Sequence, residues 1–224
     1  MGRADEGGVD CGGDCNRSEL VKSHERVDDL QRSGLVIIQN PARFRFSVDA
    51  VLLSEFVTAR EGDRMIDLGT GTGVIPLLVW ARRRPARIVG VEIMEDMADM
   101  ASRSVRLNRL EDNISIVHDD LRNAPARFGV ECFDVVTANP PYMRAGTGSL
   151  PGAQHLGEPE ARHELTCTLD DVVQAAAALL RSRGRLAMVH RPARLVDMVC
   201  AMRAHRLEPR RARFVQSRAG SPPM

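Results

Sequence analysis

Arg64-Met-Ile-Asp67-Leu-Gly69-Thr-Gly71-Thr-Gly73-Val74-Ile-Pro76 decides the fold of this chain. Residues 64–68 are a short apolar run that predicts a strand, and the pattern over 74–84 predicts a helix. Between them Gly69, Gly71 and Gly73 let the backbone turn sharply and approach a ligand closely. The helix that follows opens with unsatisfied N–H groups, and Pro76 fits its first turn, where a missing donor costs little. The G-x-G-x-G spacing departs from the G-x-G-x-x-G of dinucleotide sites, which argues against a nicotinamide cofactor.

The same alternation continues outward. Strands are expected over 87–91, 114–118, 133–138, 184–190 and 211–215, and helices over 95–110, 169–181 and 192–205. Crossovers long enough for helices specify an α/β fold, a doubly wound, mostly parallel sheet covered on both faces. Upstream, 35–39 predicts a strand that Pro41 closes. Ser47 is the expected N-cap of a helix whose Val48, Val51, Leu52 and Phe56 share one face by spacing. The stretch 119–131 is too broken by Asn, Pro and Gly to assign. Residues 143–166, with four glycines and two prolines, are expected to form a lid-like insertion over the carboxyl edge of the sheet.

Composition narrows the class. A chain of 224 residues with 43% hydrophobic content supports one core. The expected division is a disordered acidic, Gly-rich tail over 1–23 and one catalytic domain over 24–224. No stretch approaches the about 20 apolar residues of a membrane span, and the start lacks the order of a signal peptide, so a cytoplasmic protein is expected. Five cysteines without framework spacing suit a reducing compartment. Cys11 and Cys15 have no companion pair to complete a zinc site, so no metal is expected. Cys132, Cys167 and Cys200 lie in or beside apolar runs and read as small core residues.

The formal charge of +1 hides an asymmetry. Residues 1–30 hold eight acids against four bases, whereas 160–224 hold twelve arginines against six acids. A basic carboxyl-terminal half suits a phosphate backbone. Lys22 is the only lysine, so genomic base composition explains the preference for arginine equally well.

Two acids follow the glycine loop at strand ends. Glu92 stands where an acid can hold both ribose hydroxyls of an adenosine moiety, and Asp120 stands where it can accept from an adenine amine. Either alone reads as a solvated loop carboxylate; their order after the loop favours a site. Asn139-Pro140-Pro141-Tyr142 is more specific. Its prolines stiffen the turn so that the Asn139 amide oxygen and the Pro140 carbonyl can converge on one planar NH2 group, leaving the nitrogen lone pair free to attack. Tyr142 can stack on the flat group that carries the amine. In an open α/β sheet, loops at the carboxyl ends of strands share one crevice, so the two loops are expected to face the same ligand space.

Together these residues resemble the class I, S-adenosylmethionine-dependent methyltransferases, and within them the N-P-P-Y amino-methyltransferases. Further stretches, namely 35–40, 44–53, 161–166 and 190–195, look like the bacterial valine-tRNA adenine-N6 methyltransferase family, so the likeness covers nearly everything from about Val27 onward. The resemblance implies a Rossmann-like fold with S-adenosylmethionine as cofactor. It assigns cofactor contacts to Asp67, Gly69, Gly71, Gly73, Glu92, Asp120, Phe46 and Asp49, and catalysis to Asn139, Pro140, Pro141 and Tyr142. Arg162, Arg191 and Arg194, on the expected carboxyl side, are the arginines for flanking phosphates; as single residues they read equally well as solvated surface arginines. The implied substrate is an exocyclic adenine amine in RNA, most specifically the anticodon loop of a tRNA.

One departure concerns the end of the sheet. The family fold closes with a sixth strand and an antiparallel seventh that inserts between strands five and six. Residues 211–216 can supply the sixth, but 217–224 are too short and too rich in Gly and Pro for the seventh, so a sheet lacking the final antiparallel strand is expected. A protein glutamine N5-methyltransferase is the alternative substrate reading, although those enzymes carry a helical domain before the cofactor loop and little room exists for one. A non-catalytic cofactor- or RNA-binding module is the second alternative. The intact catalytic loop argues against that module, and the missing strand argues for it.

Overall fold

The computed structural model describes residues 19–42, 47–140, 167–218 and 220–223. Two short strands, β1 (Arg26–Asp29) and β2 (Val36–Gln39), form an antiparallel hairpin. The alternating part follows: α1 (Val48–Phe56), β3 (Arg64–Leu68), α2 (Val74–Arg83), β4 (Arg87–Glu92), α3 (Glu95–Leu107) and β5 (Ile114–His118). A 3-10 turn (Leu121–Asn123) then leads through α4 (Ala124–Phe128) to β6 (Phe133–Ala138), α5 (Leu169–Leu179) and β7 (Leu180–Met188). A second 3-10 turn (Pro192–Arg194) precedes α6 (Leu195–Ala204). Strands β3 to β7 make one sheet in the order β5-β4-β3-β6-β7, every pair parallel. The order reverses at β3, between β4 and β6, which opens the crevice where α/β sheets bind ligands.

Alternation of side chains along the strands builds the two layers. Met65, Ile88 and Val135 face one way and pack with Leu53 of α1 and Leu77 and Leu78 of α2. Ile66, Leu68, Val89, Val91 and Val136 face the other way, against Val172, Ala176 and Leu179 of α5. Helix α5 starts at a capping box in which Thr168 and Asp171 satisfy each other's backbone donors. Strand β2 docks on α3 through polar side chains. The Ile38 N–H donates to Ser104 Oγ at 2.9 Å, and Asn108 both accepts from the Val36 N–H at 2.9 Å and donates to the Val36 carbonyl at 2.6 Å. These bonds occupy backbone groups that the two-stranded hairpin would otherwise leave open.

Several sequence expectations change here. The helix over 48–56 is capped by Ser47 as expected, but its buried residues are Ala50, Leu53 and Ser54, while Val48 is 57% exposed. Val51 and Phe56 of the expected face are partly buried against the same core as Ala50 and Leu53, so the packed side of α1 is the expected one rotated toward Ala50 and Leu53. The helix expected to reach 181 ends at Leu179, and β7 begins directly at Leu180 instead of at 184. A bulge absorbs the junction: β6 moves from Phe133 to Val135 while β7 moves from Leu180 to Arg185, with Arg183 at a φ of 65°.

The strand expected over 211–215 is absent; these residues form no helix or strand. Arg211 instead lies over the Phe56 ring at 4.0 Å and donates to the Phe56 carbonyl. Among the described residues no helix is long and apolar enough to cross a membrane.

Packing begins before the expected boundary at residue 24. Leu20 is buried, and the Arg103 guanidinium, itself 8% exposed, donates to the Leu20 carbonyl at 2.6 Å. The same guanidinium grips both oxygens of Glu25, at 2.6 and 2.7 Å, and reaches Asp99 at 2.8 Å. Hydrogen bonds and charge from Arg103 outweigh burial and hold the Glu25 carboxyl below its ordinary value. Arg103→Met is expected to cost about 3 kcal/mol, because it leaves the Glu25 carboxylate enclosed without its partner. Urea denaturation measures this, and Arg103→Met combined with Glu25→Leu should recover much of the loss. The lowered Glu25 pKa stabilises the fold above the ordinary carboxylate range, so this contribution fades as pH falls through that range.

Candidate active site

The site is organised around a row of register partners, Thr137 on β6, Asp67 on β3 and Gly90 on β4. Asp67 is fully buried, and Thr137 Oγ1 donates to its Oδ1 at 2.5 Å. Burial pushes the Asp67 carboxyl up to about 7, helped by the charge of Glu92 and opposed by the Thr137 and Thr70 hydroxyls. Its Oδ2 is enclosed without a hydrogen-bond partner among the described residues. Thr70 therefore stands near enough to favour the carboxylate without completing a well-formed bond. Gly90 makes room for this arrangement: a Cβ there would come within 2.8 Å of both the Thr70 methyl and Ile116.

The glycine loop leaves β3 by bonding to its neighbour. The N–H groups of Gly69 and Thr70 both donate to the Val91 carbonyl at 2.9 Å. Gly69, Gly71 and Gly73 all have positive φ, at 71°, 58° and 84°, so this turn needs residues without a Cβ. At Gly73 a Cβ would also press within 3.3 Å of Ala101 on α3. Glu92, 8% exposed, grips the loop from the end of β4, accepting from the Gly71 N–H at 2.8 Å and the Met94 N–H at 3.0 Å. Burial raises its pKa against those backbone donors.

A cleft at this edge is lined by Gly69, Val91, Ile93, Asp119, Asp120, Leu121, Arg122 and Cys167. Asp120 is thus beside the loop, as expected. Its carboxylate, however, caps the 3-10 turn through the Arg122 N–H at 2.9 Å and is paired with the Arg122 guanidinium, which holds its pKa low. Cys167, expected in the core, is a half-buried wall of this cleft, and burial pushes its thiol up to about 12, so it is not a thiolate nucleophile at neutral pH.

Asn139 and Pro140 follow β6 immediately after the Thr137 row. The Val189 N–H donates to the Ala138 carbonyl at 3.3 Å, which sets the end of β7, and hence His190, next to the Asn139-Pro140 turn. His190 is half-buried, and its Nδ1 accepts from the Arg191 N–H at 2.9 Å. Burial and the charges of Arg194 and Arg191 lower its pKa, so the neutral ring carries its proton on Nε2. Arg194 is tied to Asp197 at 2.5 Å. Asp49 lies in the first turn of α1. Phe46, Pro141, Tyr142 and Arg162 lie outside the described residues.

Sequence reasoning missed Thr137, Thr70, Gly90 and Arg122. Thr137 was legible as the one hydroxyl in Phe-Asp-Val-Val-Thr-Ala, just before the Asn-Pro turn; Gly90 was legible as a glycine inside a strand, which marks close approach. The arrangement suits a cationic adenosyl cofactor. Asp67 and Glu92 are buried acids facing only hydroxyl and backbone donors, with no cation paired to either among the described residues. A sulfonium and ammonium group would complement that charge, and Glu92 retains lone pairs for ribose hydroxyls.

Comparison with known proteins agrees. Residues 47–204 match the methyltransferase small domain family. A tRNA1(Val) (adenine(37)-N6)-methyltransferase of Porphyromonas gingivalis is 30% identical over 177 residues, covering 76% of this chain and 68% of the relative. The protein of that name from Bacteroides thetaiotaomicron is 30% identical over 183 residues, covering 80% and 73%. Among solved structures, a protein from Agrobacterium tumefaciens described as a predicted O-methyltransferase superposes with a TM-score of 0.52 at 27% identity, over 68% of this chain and 66% of that one. TrmN from Thermus thermophilus gives a TM-score of 0.50 at 27% identity, over 68% and 40%. The match of family, fold and buried acidic loop has one conclusion: the chain belongs to the methyltransferase small domain family and is an S-adenosylmethionine-dependent class I methyltransferase.

Proposed function

We propose that this enzyme methylates the exocyclic N6 amine of an unpaired adenine in RNA, in the anticodon loop of a tRNA. The observation that carries this reading is the Thr137–Asp67 bond, which ties the strand leading into Asn139-Pro140 to the strand leading into the cofactor loop. It is supported by relatives that bear a tRNA adenine-N6 methyltransferase name at 30% identity. Such a substrate belongs to the cytoplasm.

S-adenosylmethionine supplies an electrophilic methyl group. The chain's own work is positioning. Asp67 and Glu92 offer negative charge beside the glycine loop, while Asn139 and the Pro140 carbonyl hold the two amine hydrogens so that the lone pair points away from them. Tyr142 stacks on the base. A base inside a helix cannot reach this turn, so the target is unpaired or flipped out. The neutral His190 beside the turn leaves the amine free of a neighbouring imidazolium charge.

Asn139→Ala should keep cofactor affinity, measured by calorimetry, and lose on the order of 10²-fold or more in transfer to tRNA. Activity within a few-fold of the parent overturns the role of the turn, and an enzyme that methylates a glutamine peptide while ignoring tRNA overturns the substrate.

A second test concerns Asp67. Because a cationic cofactor favours the carboxylate, binding should release a proton from Asp67, more at pH 6 than at pH 8. Calorimetry in buffers of different ionisation enthalpy reads that proton, and Asp67→Asn should remove it. The sign also holds for stability. Asp67 keeps its proton in the unliganded fold up to about 7, against 3.8 when exposed, so its contribution to stability falls as pH rises across that window. The Asp67→Asn protein should therefore gain relative to the parent over the same range in urea melts.

A further inference from the structure

The parallel sheet has a second edge, opposite the catalytic one, and arginines gather there around the end of α1. Arg82 pairs with Glu55 at 2.7 Å, and Arg211 and Arg213 lie over the Phe56 ring at 4.0 and 5.7 Å. Arg83 and Arg84 continue from Arg82 at the end of α2, with Arg84 over Trp80 at 4.8 Å. Arg83, Arg84, Arg211 and Arg213 are exposed. Among the described residues the cluster holds one paired carboxylate, Glu55, and none of Arg83, Arg84, Arg211 or Arg213 has an acidic partner. Helix C-termini attract cations, which explains Arg211 on the Phe56 carbonyl, but one carbonyl and one carboxylate leave most of this charge unmatched.

Geometry separates this cluster from the chemistry. Helix α2 runs from Gly73 at the cofactor loop to Arg83, ten residues or about 15 Å away at the helical rise. Nothing small enough to fill the catalytic crevice touches both ends. The Trp80 and Phe56 rings restrain Arg84 and Arg211, which reduces the rotamer freedom lost on contact, and a guanidinium fork matches phosphate oxygens.

We infer that Arg83, Arg84, Arg211 and Arg213 form a second phosphate-binding surface, which grips a helical arm of the RNA away from the reacting base. The inference rests on the RNA reading above and extends it: the enzyme recognises a folded RNA by its shape, with the catalytic edge reading the target loop. Backbone contacts of this kind fix orientation without reading sequence.

The test uses the full chain with Arg83 and Arg213 both changed to Glu, and separately both changed to Gln. Binding of an RNA duplex of about 20 base pairs is measured across a salt series, where each lost phosphate contact lowers the slope of log K on log salt by about 0.9. The Glu pair should reduce the slope by about 2 and the Gln pair should follow in the same direction. In methyl transfer, the KM for full-length tRNA should rise on the order of tenfold with kcat unchanged. Cofactor affinity and transfer to an isolated anticodon stem-loop should stay at the parent values. A slope equal to the parent's in both variants overturns the surface, as does an equal loss on the stem-loop. The two readings fail separately: a parent that binds the duplex through these arginines but methylates no tRNA removes the substrate proposal alone.

Discussion

The hydrogen bond from Thr137 to Asp67 is the constraint on which the rest of the site depends. It crosses from β6 to β3 in a fully buried layer, where low dielectric strengthens a polar contact. It joins the two strands on either side of the topological switch, so the loop that each strand launches starts from a common point. The cost is a buried carboxyl whose pKa burial pushes up to about 7, with one oxygen unpartnered among the described residues. A buried carboxyl with a raised pKa at the mouth of a crevice is the mark of a site that binds positive charge.

Glu92 extends the same logic to the glycine loop. Its carboxylate is spent partly on the Gly71 and Met94 amides, so the loop is shaped before any ligand arrives. A pre-shaped loop loses less entropy on binding. Gly90 belongs with it as the space that lets Thr70 fold over the end of β4.

The amino-terminal hairpin shows a different economy. Residues 20–25 and β2 bury Leu20, Ile37 and Ile38, and they are fastened besides by polar bonds to Arg103 and Ser104 of α3 and to Asn108, its C-cap. The remote arginines at the end of α1 have no comparable set of acids, which is why the excess of charge there reads as a surface for something else.

By itself the sequence determined the alternating architecture, the glycine loop, the Ser47 cap and the placement of Glu92, Asp120 and Asn139 at strand ends, because period, turn chemistry and capping are local properties. Tertiary structure decided what locality cannot. Spacing put Val48, Val51, Leu52 and Phe56 on one face of α1, and only packing rotated that face so that Ala50 and Leu53 are buried and Val48 is exposed. Residues 211–215 have strand composition, but a strand requires a neighbour, and the chain found Phe56 instead. Above all, nothing in the sequence joins residue 67 to residue 137; parallel pairing sets them side by side, and burial then makes their hydrogen bond matter.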